Sequence, residues 1–412
     1  MEHAKRMGGT LRERIRSVDL LRGIAALVVL VWHFQFYFYS RPFIGVLFPL
    51  YNNGQVAVDV FFVISGFILM HVYRDSIKGR AELWSFFVKR IARLYPLHLL
   101  ALIATALVVA GFFVKSGRYG FYSYNDAYHF ALNLFLLQFV GLQKGFSFNA
   151  PSWTISGEFW VNLLFAVILL LLRARIALIS AVIVVSATVA LLWHGKWFLS
   201  FHRLGYILDP LLIRTAAGFF AGVLTYQLWS SKHRALPSFV GSAALVAGLL
   251  LLVCLMYYRG PWMVFVGAAG ALVAAPLLVF GCASSAAVEG IGRSPVGATI
   301  GNVSYSVYMW HFPVAALMVL IGVGSMPSEA ILVLYSTAVV VVGWCSFHFL
   351  EAPARTWIVA LAPHARENAL LPPKLTDGIR HLSGFLPRLN SSPLRVLALP
   401  ESIRGLRRNK HC

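Results

Sequence analysis

The stretch "RGIAALVVLVWH", residues 22–33, opens on an arginine and closes on a histidine with no charge between them. A helix advances ~100° and ~1.5 Å per residue, so Arg22 and His33 fall on nearly one face, roughly 16 Å apart along the axis. Arginine at a span end commonly snorkels to headgroups. A histidine inside an apolar span is harder to dismiss. It exchanges a proton near neutral pH, and ionisable groups at membrane depth usually face the bundle interior and mark a site or pathway. Asp19, one turn before Arg22, is a candidate partner for it or for another buried base.

Further ionisable groups sit in apolar surroundings. Asp59 lies in "VAVDVFFVISGFIL", Glu158 in "PSWTISGEFW", and His311 in "SYSVYMWHFP". Ser304, Tyr308 and His311 follow i, i+4, i+7 and form one polar stripe on a helix. A purely structural bundle rarely keeps an aspartate, a glutamate and two histidines at such depth. The cluster suits general acid–base catalysis or a proton relay, so by itself it does not separate an enzyme from a transporter. In "FFVKRIARLYP", Arg90 and Arg93 stand one helical turn apart and could face one ligand. Arginine pairs suit phosphate, which they grip bidentately; an ordinary stop-transfer charge cluster is the plainer alternative.

The elements that must position these residues are membrane-spanning helices. Of 412 residues 59% are hydrophobic and only 12% charged, about half the charged share of soluble domains. Apolar runs near the ~20 residues that span a bilayer recur along the chain. The fold class is therefore all-α, a polytopic transmembrane helical bundle of about ten spans, near 18–38, 56–73, 94–114, 156–172, 176–193, 207–229, 237–258, 262–281, 299–322 and 330–350. No separate soluble domain is long enough to fold alone. The first apolar stretch is too long for a cleavable signal, and no small-residue cleavage site follows it.

A further apolar piece, 129–142, is short for a span. Charge decides its place. Lys5, Arg6, Arg12, Arg14 and Arg16 put the basic N-terminus (1–17) in the cytoplasm, and the basic, proline-rich tail (356–412) belongs on the same side. That requires an even number of crossings, so 129–142 is expected to be re-entrant or interfacial. The formal charge of +20 gathers in flanks and loops, as topology and anionic headgroups require, and does not signal nucleic acid. Cys254, Cys282, Cys345 and Cys412 are scattered without metal-ligand spacing, and nothing calls for a metal. Trp84, Trp197 and Trp262 read as interfacial anchors.

Over roughly 15–355 the chain resembles the acyltransferase-3 family of integral membrane acyltransferases. Arg22 and His33 match its Arg-x10-His motif, and "VDVFFVISGF" resembles its Asp-x-Phe-Phe-x-x-Ser-Gly-Phe segment. Arg90 and Arg93 match its Arg-x-x-Arg. "PSWTISGEFW", with Trp153 and Glu158, resembles its Trp…Glu loop. "SYSVYMWHFP" is similar to its late Ser-Tyr…Tyr…His helix, and "LEAPAR" to its Glu-x-Pro ending.

The resemblance implies transfer of an acyl group, acetyl or succinyl, from acyl-CoA to a hydroxyl of a surface carbohydrate such as exopolysaccharide or lipopolysaccharide, at the inner membrane. It implies no metal or prosthetic group, and the chain is expected to lack the extra esterase-like domain of some relatives. On this reading His33 is the general base, with Arg22 and Glu158 in the catalytic set. Arg90 and Arg93 hold the donor's phosphates. Asp59, Trp153, Ser304, Tyr308 and His311 bind the acceptor. The alternatives are a proton-coupled transporter of a glycolipid or organic anion, and a scaffold for polysaccharide assembly.

Overall fold

The computed structural model describes residues 13–195, 197–198, 209–232 and 237–362. Its helices, in chain order, are α1 (Arg16–Phe38), α2 (Ile44–Asn53), α3 (Val56–Tyr73), α4 (Arg80–Ser116), α5 (Ala127–Leu134), α6 (Trp153–Leu172), α7 (Ile176–Trp193), α8 (Pro210–Lys232) and α9 (Ser238–Tyr257). There follow α10 (Met263–Ala269), α11 (Ala275–Ser284), α12 (Ala286–Arg293), α13 (Pro295–Ile321), α14 (Ser328–Ser346) and α15 (Ala352–Leu361). No strand occurs among the described residues.

Nine segments are long and apolar enough to cross a membrane among the described residues. One of them, 150–193, is broken at Arg173–Arg175 into α6 and α7, of 20 and 18 residues. Each is about 27–30 Å long, which accounts for all ten expected spans. Leu107, Val189 and Leu250, mid-helix leucines and valine, are 69%, 59% and 61% exposed. Such apolar faces are suited to lipid rather than water.

The helices alternate direction, and hydrogen bonds tie their basic ends together. His71 at the end of α3 bonds the Glu13 carbonyl, Arg173 donates to Ile77 O, and Ser17 N–H donates to Glu289 at 2.8 Å. At the opposite end Asn52 and Asn53 donate to carbonyls of Leu255, Met256 and Tyr258. The described chain starts and finishes at the basic end, so the count of crossings is even.

Segment 129–142 does not cross. Only α5, eight residues, is helical there. It turns back into the bundle, where Tyr95 donates to Leu134 O at 3.0 Å and His98 Nε2 to Asn133 O at 2.8 Å. His98 lies about 27 Å back along α4 from Ser116, so the segment is re-entrant. Ser156 and Trp160 also donate to Leu136 O, at 2.7 and 2.8 Å, which fixes the loop against α6.

Two parallel helix pairs carry the centre. α1 lies along α13, with Arg22 against Ser304 and His33 against His311. α3 lies along α8 so closely that a Cβ on Gly66 would stand 1.8 Å from Phe219 O, and one on Gly222 2.0 Å from Val63 O. Small residues permit this contact of backbones, which supplies packing where no hydrophobic effect acts between helices. Trp84 and Trp262 are 58% and 61% exposed, as anchors should be, but Trp197 is buried at 1%. It packs on Gly267, so it is a core residue. The helix of α15 runs on to Leu361, past the expected start of the tail; residues 363–412, with Cys412, lie outside the described residues.

Candidate active site

A cavity opens among α1, α3, α4, α6 and α13, about 750 Å³ counting its mouth. Arg22, Arg90 and Arg93 line one part; Ser65, Glu158 and Tyr308 line another. Five residues singled out from sequence, Arg22, Arg90, Arg93, Glu158 and Tyr308, therefore line one cavity.

Arg22 is held on three sides. Its Nε donates to Ser304 Oγ at 2.9 Å, its Nη2 to Gly301 O at 3.1 Å, and the same Nη2 pairs with Asp19 at 3.1 Å. Asp19 also pairs with Arg14. No partner of Arg22 Nη1 is seen among the described residues, so that nitrogen keeps its donors for the cavity. Ser304 is 1% exposed and does not line the cavity. Its hydroxyl oxygen accepts from Arg22 and so orients that arginine.

Arg93 pairs with Glu351, whose other oxygen accepts from Ser306 Oγ at 2.7 Å. A π-helical turn over Phe347–Glu351 re-aims that carboxylate; such turns occur mostly as single bulges in helices, often at functional sites. Arg90 has no carboxylate within 4 Å among the described residues, and its buried Nε is without a partner. Its guanidinium is 5.8 Å from the ring centres of both Tyr73 and Phe86, which holds a cation in place by cation–π attraction. Sequence spacing suggested two equivalent arginines; the fold distinguishes them.

His33 and His311 meet with ring centres 4.7 Å apart. His33 Nδ1 lies 3.0 Å from Val29 O, and His311 Nδ1 bonds Tyr308 O. A carbonyl only accepts, so in each ring Nδ1 carries the hydrogen and Nε2 holds the lone pair. His311 Nε2 is buried and unpartnered. The rings sit just behind the cavity wall: Tyr308 is 5.4 Å from His311 and from Phe61, ring centre to ring centre. Tyr37 stacks on His33 at 5.7 Å. The Tyr308 hydroxyl donates to Pro151 O at 2.9 Å and accepts from Thr154 at 2.9 Å, so its proton is engaged. Glu158 accepts from Ser65 at 2.9 Å.

Asp59 stands apart. It is fully buried and takes both ends of Arg214, at 2.8 and 3.0 Å. Trp153 is 7% exposed, lies over the same arginine at 5.8 Å, and packs against Phe62 and Phe139. Neither is among the residues that line the cavity, and through Arg214 they tie α3, α6 and α8 together. Arg214 was missed, although an arginine within an apolar span is itself a signal. Glu351 was visible in "LEAPAR" without a role. Ser65, Thr154 and Tyr305 gave no periodic cue.

Comparison with known proteins fixes the class of chemistry. Residues 15–348 match the profile of the acyltransferase-3 family, an acyltransferase domain. The chain belongs to this family. The acyltransferase is 28% identical over 330 residues to the acyltransferase MdmB of Streptomyces mycarofaciens, covering 73% of this chain and 79% of MdmB. It is 22% identical to the peptidoglycan O-acetyltransferase OatA of Listeria monocytogenes, over 84% of this chain and 56% of OatA. It is 31% identical over 169 residues to protein 2 of the picA locus of Rhizobium radiobacter, covering 37% of this chain and 82% of that protein. No solved structure matches it. Among the readings left open by the ionisable cluster, the family selects an enzyme that transfers acyl groups within a membrane-embedded helical bundle.

Proposed function

We propose that this acyltransferase moves an acyl group, acetyl or succinyl, from acyl-CoA to a hydroxyl of a cell-surface carbohydrate. The observation that carries the reading is the arrangement of a cavity lined by three arginines with two imidazoles, their Nε2 lone pairs uncommitted, packed behind its Tyr308 wall. Arg90, without a carboxylate partner among the described residues, receives the phosphates of the donor at the cytoplasmic face, Arg93 stands beside it held by Glu351, and the pantetheine arm runs into the cavity. His33 Nε2 accepts the proton of the acceptor hydroxyl as that oxygen attacks the thioester carbonyl. The Val29 carbonyl fixes its tautomer and stabilises the imidazolium that forms. The tetrahedral adduct collapses with cleavage of the C–S bond, and His33 returns the proton to the departing thiolate.

Arg22, with Nη1 uncommitted, is the electrostatic stabiliser of the carbonyl oxygen. Glu158 binds the acceptor or orients it, and His311 and Tyr308 complete the wall beside His33. The amino terminus and the tail are cytoplasmic on this reading, in an inner membrane, with the carbohydrate handled toward the outer face.

The test is mass spectrometry of surface polysaccharide from wild-type cells, a deletion strain, and the deletion complemented with His33→Ala at equal membrane abundance. Loss of one acyl mass in both defective strains is expected. An unchanged polymer in the deletion strain would remove the polysaccharide from the proposal, and intact acylation with His33→Ala would remove His33 from the chemistry.

A further inference from the structure

Six of the cations at the basic end fall into two groups. Arg14, Arg22 and Arg93 are each paired with a carboxylate, Asp19 or Glu351. Lys89, Arg90 and Arg355 have none within 4 Å among the described residues. These three are brought together by the antiparallel packing of α4 on the last helix. Arg93 pairs with Glu351 at one level, and Ala92 and Val88 pack with Val359 at the next. Lys89 and Arg90 on one helix, and Arg355 on the other, fall between those two contacts. Arg355 lies one turn, about 6 Å, nearer the basic end than Glu351. The charges of Lys89, Arg90 and Arg355 are close enough to repel one another.

Three like charges gathered without counter-ions are costly unless an anion occupies the site. Their order is informative. Arg90 lines the cavity, whereas Arg355 is exposed and lies a turn nearer the basic end than the Glu351–Arg93 contact. Coenzyme A carries its diphosphate next to the pantetheine arm and its 3′-phosphate farther from the thiol. If the arm enters the cavity, the diphosphate comes to rest by Arg90 and the 3′-phosphate beyond it.

We infer that Arg355, with Lys89, is the binding site for the terminal phosphomonoester of the donor, and that Arg90 takes its diphosphate. Arg93 is a positioning residue: by fixing Glu351 it sets the register of the last helix and so brings Arg355 beside Arg90. The inference rests on the acyl-CoA reading above. An anionic lipid headgroup offers the same phosphate chemistry, and the test separates the two sources.

Binding of coenzyme A and of 3′-dephospho-coenzyme A would be measured by calorimetry on the purified full chain in neutral-lipid nanodiscs, for wild type, Arg355→Gln and Arg355→Lys. Binding to vesicles containing phosphatidylglycerol would be measured in parallel. Wild type should prefer coenzyme A about tenfold, the worth of one charge-assisted phosphate contact. Arg355→Gln should lose that preference, with dephospho-coenzyme A bound as by wild type, and Arg355→Lys should keep most of it. An undiminished preference in Arg355→Gln overturns the inference while leaving the donor assignment intact. Unchanged nucleotide binding with weakened vesicle binding also overturns it, and makes Arg355 a headgroup anchor. Failure of the wild type to bind coenzyme A overturns the donor assignment itself. Equal unfolding midpoints of the three proteins exclude misfolding as the cause.

Discussion

At the scale of single residues, the proposed chemistry rests on the two imidazoles and the two kinds of arginine. His33 holds its Nδ1 hydrogen on Val29 O, so a side chain that cannot take a proton at the Nε2 position should abolish general-base assistance. His33→Ala and His33→Gln are both expected to lower acyl transfer by about 10²–10⁴-fold, measured as label moving from acyl-CoA to acceptor in membranes of matched protein content. A rate within a few-fold of wild type would assign the base elsewhere. The Asp59–Arg214 pair makes a different prediction. Both groups are buried, and removing one partner leaves an uncompensated charge. Asp59→Asn should destabilise the protein by about 3–5 kcal/mol, read as unfolding in detergent. The double variant Asp59→Leu/Arg214→Met should recover much of the loss. If Asp59→Asn instead impaired transfer at full stability, Asp59 would belong to the reacting groups.

At the scale of elements, the α3–α8 contact and the re-entrant loop set where those residues stand. α3 supplies Ser65 and Phe61 to the cavity, and its register follows from the backbone contact at Gly66 and Gly222. Gly66→Leu should therefore drive the helices apart and lower both the unfolding midpoint and the rate. A change of the same size at Gly290, where a Cβ meets nothing within 4 Å, should do neither.

The loop's α5 is capped by Asp126, which accepts from His129 N at 2.8 Å and from His129 Nδ1 at 2.7 Å. Desolvation pushes this carboxyl up, but the two His129 hydrogen bonds outweigh it and hold it below the usual aspartate range. A depressed pKa contributes stability that is present above the unfolded value, near 4, and is lost as pH falls through the folded value. Hydrogen-exchange protection of 127–136 should thus be flat from neutral pH to about 4 and fall below it. Asp126→Asn should be lower at neutral pH and show no such fall; a wild-type loss already at pH 6 would implicate another group.

At the scale of the whole molecule, sidedness is the open quantity that physics most constrains. The basic end gathers Arg14, Arg74, Lys78, Arg80, Arg173 and Arg293, and the proposal that it is cytoplasmic follows the positive-inside rule. A cysteine at Lys78 should react with an impermeant maleimide only after cells are permeabilised, and one at Arg118 in intact cells. The reverse pattern would place the phosphate-binding arginines outside and remove cytoplasmic acyl-CoA as their ligand.

The sequence by itself determined the class of fold, because apolar length is dictated by bilayer thickness and needs no tertiary information. It also determined that Arg22 and His33 share a face, since helical geometry alone relates residues eleven apart. The even count of crossings followed from charge, and the re-entrant 129–142 followed from that count. Only the tertiary structure decided which charges remain free. Whether Asp59 meets a ligand or Arg214, and whether Arg93 meets phosphate or Glu351, depends on partners 155 and 258 residues away. Ion pairing is set by distance in space, and no local periodicity encodes it. That Ser304 Oγ accepts from Arg22 on the neighbouring helix is likewise a matter of tertiary contact that its face and register alone do not show.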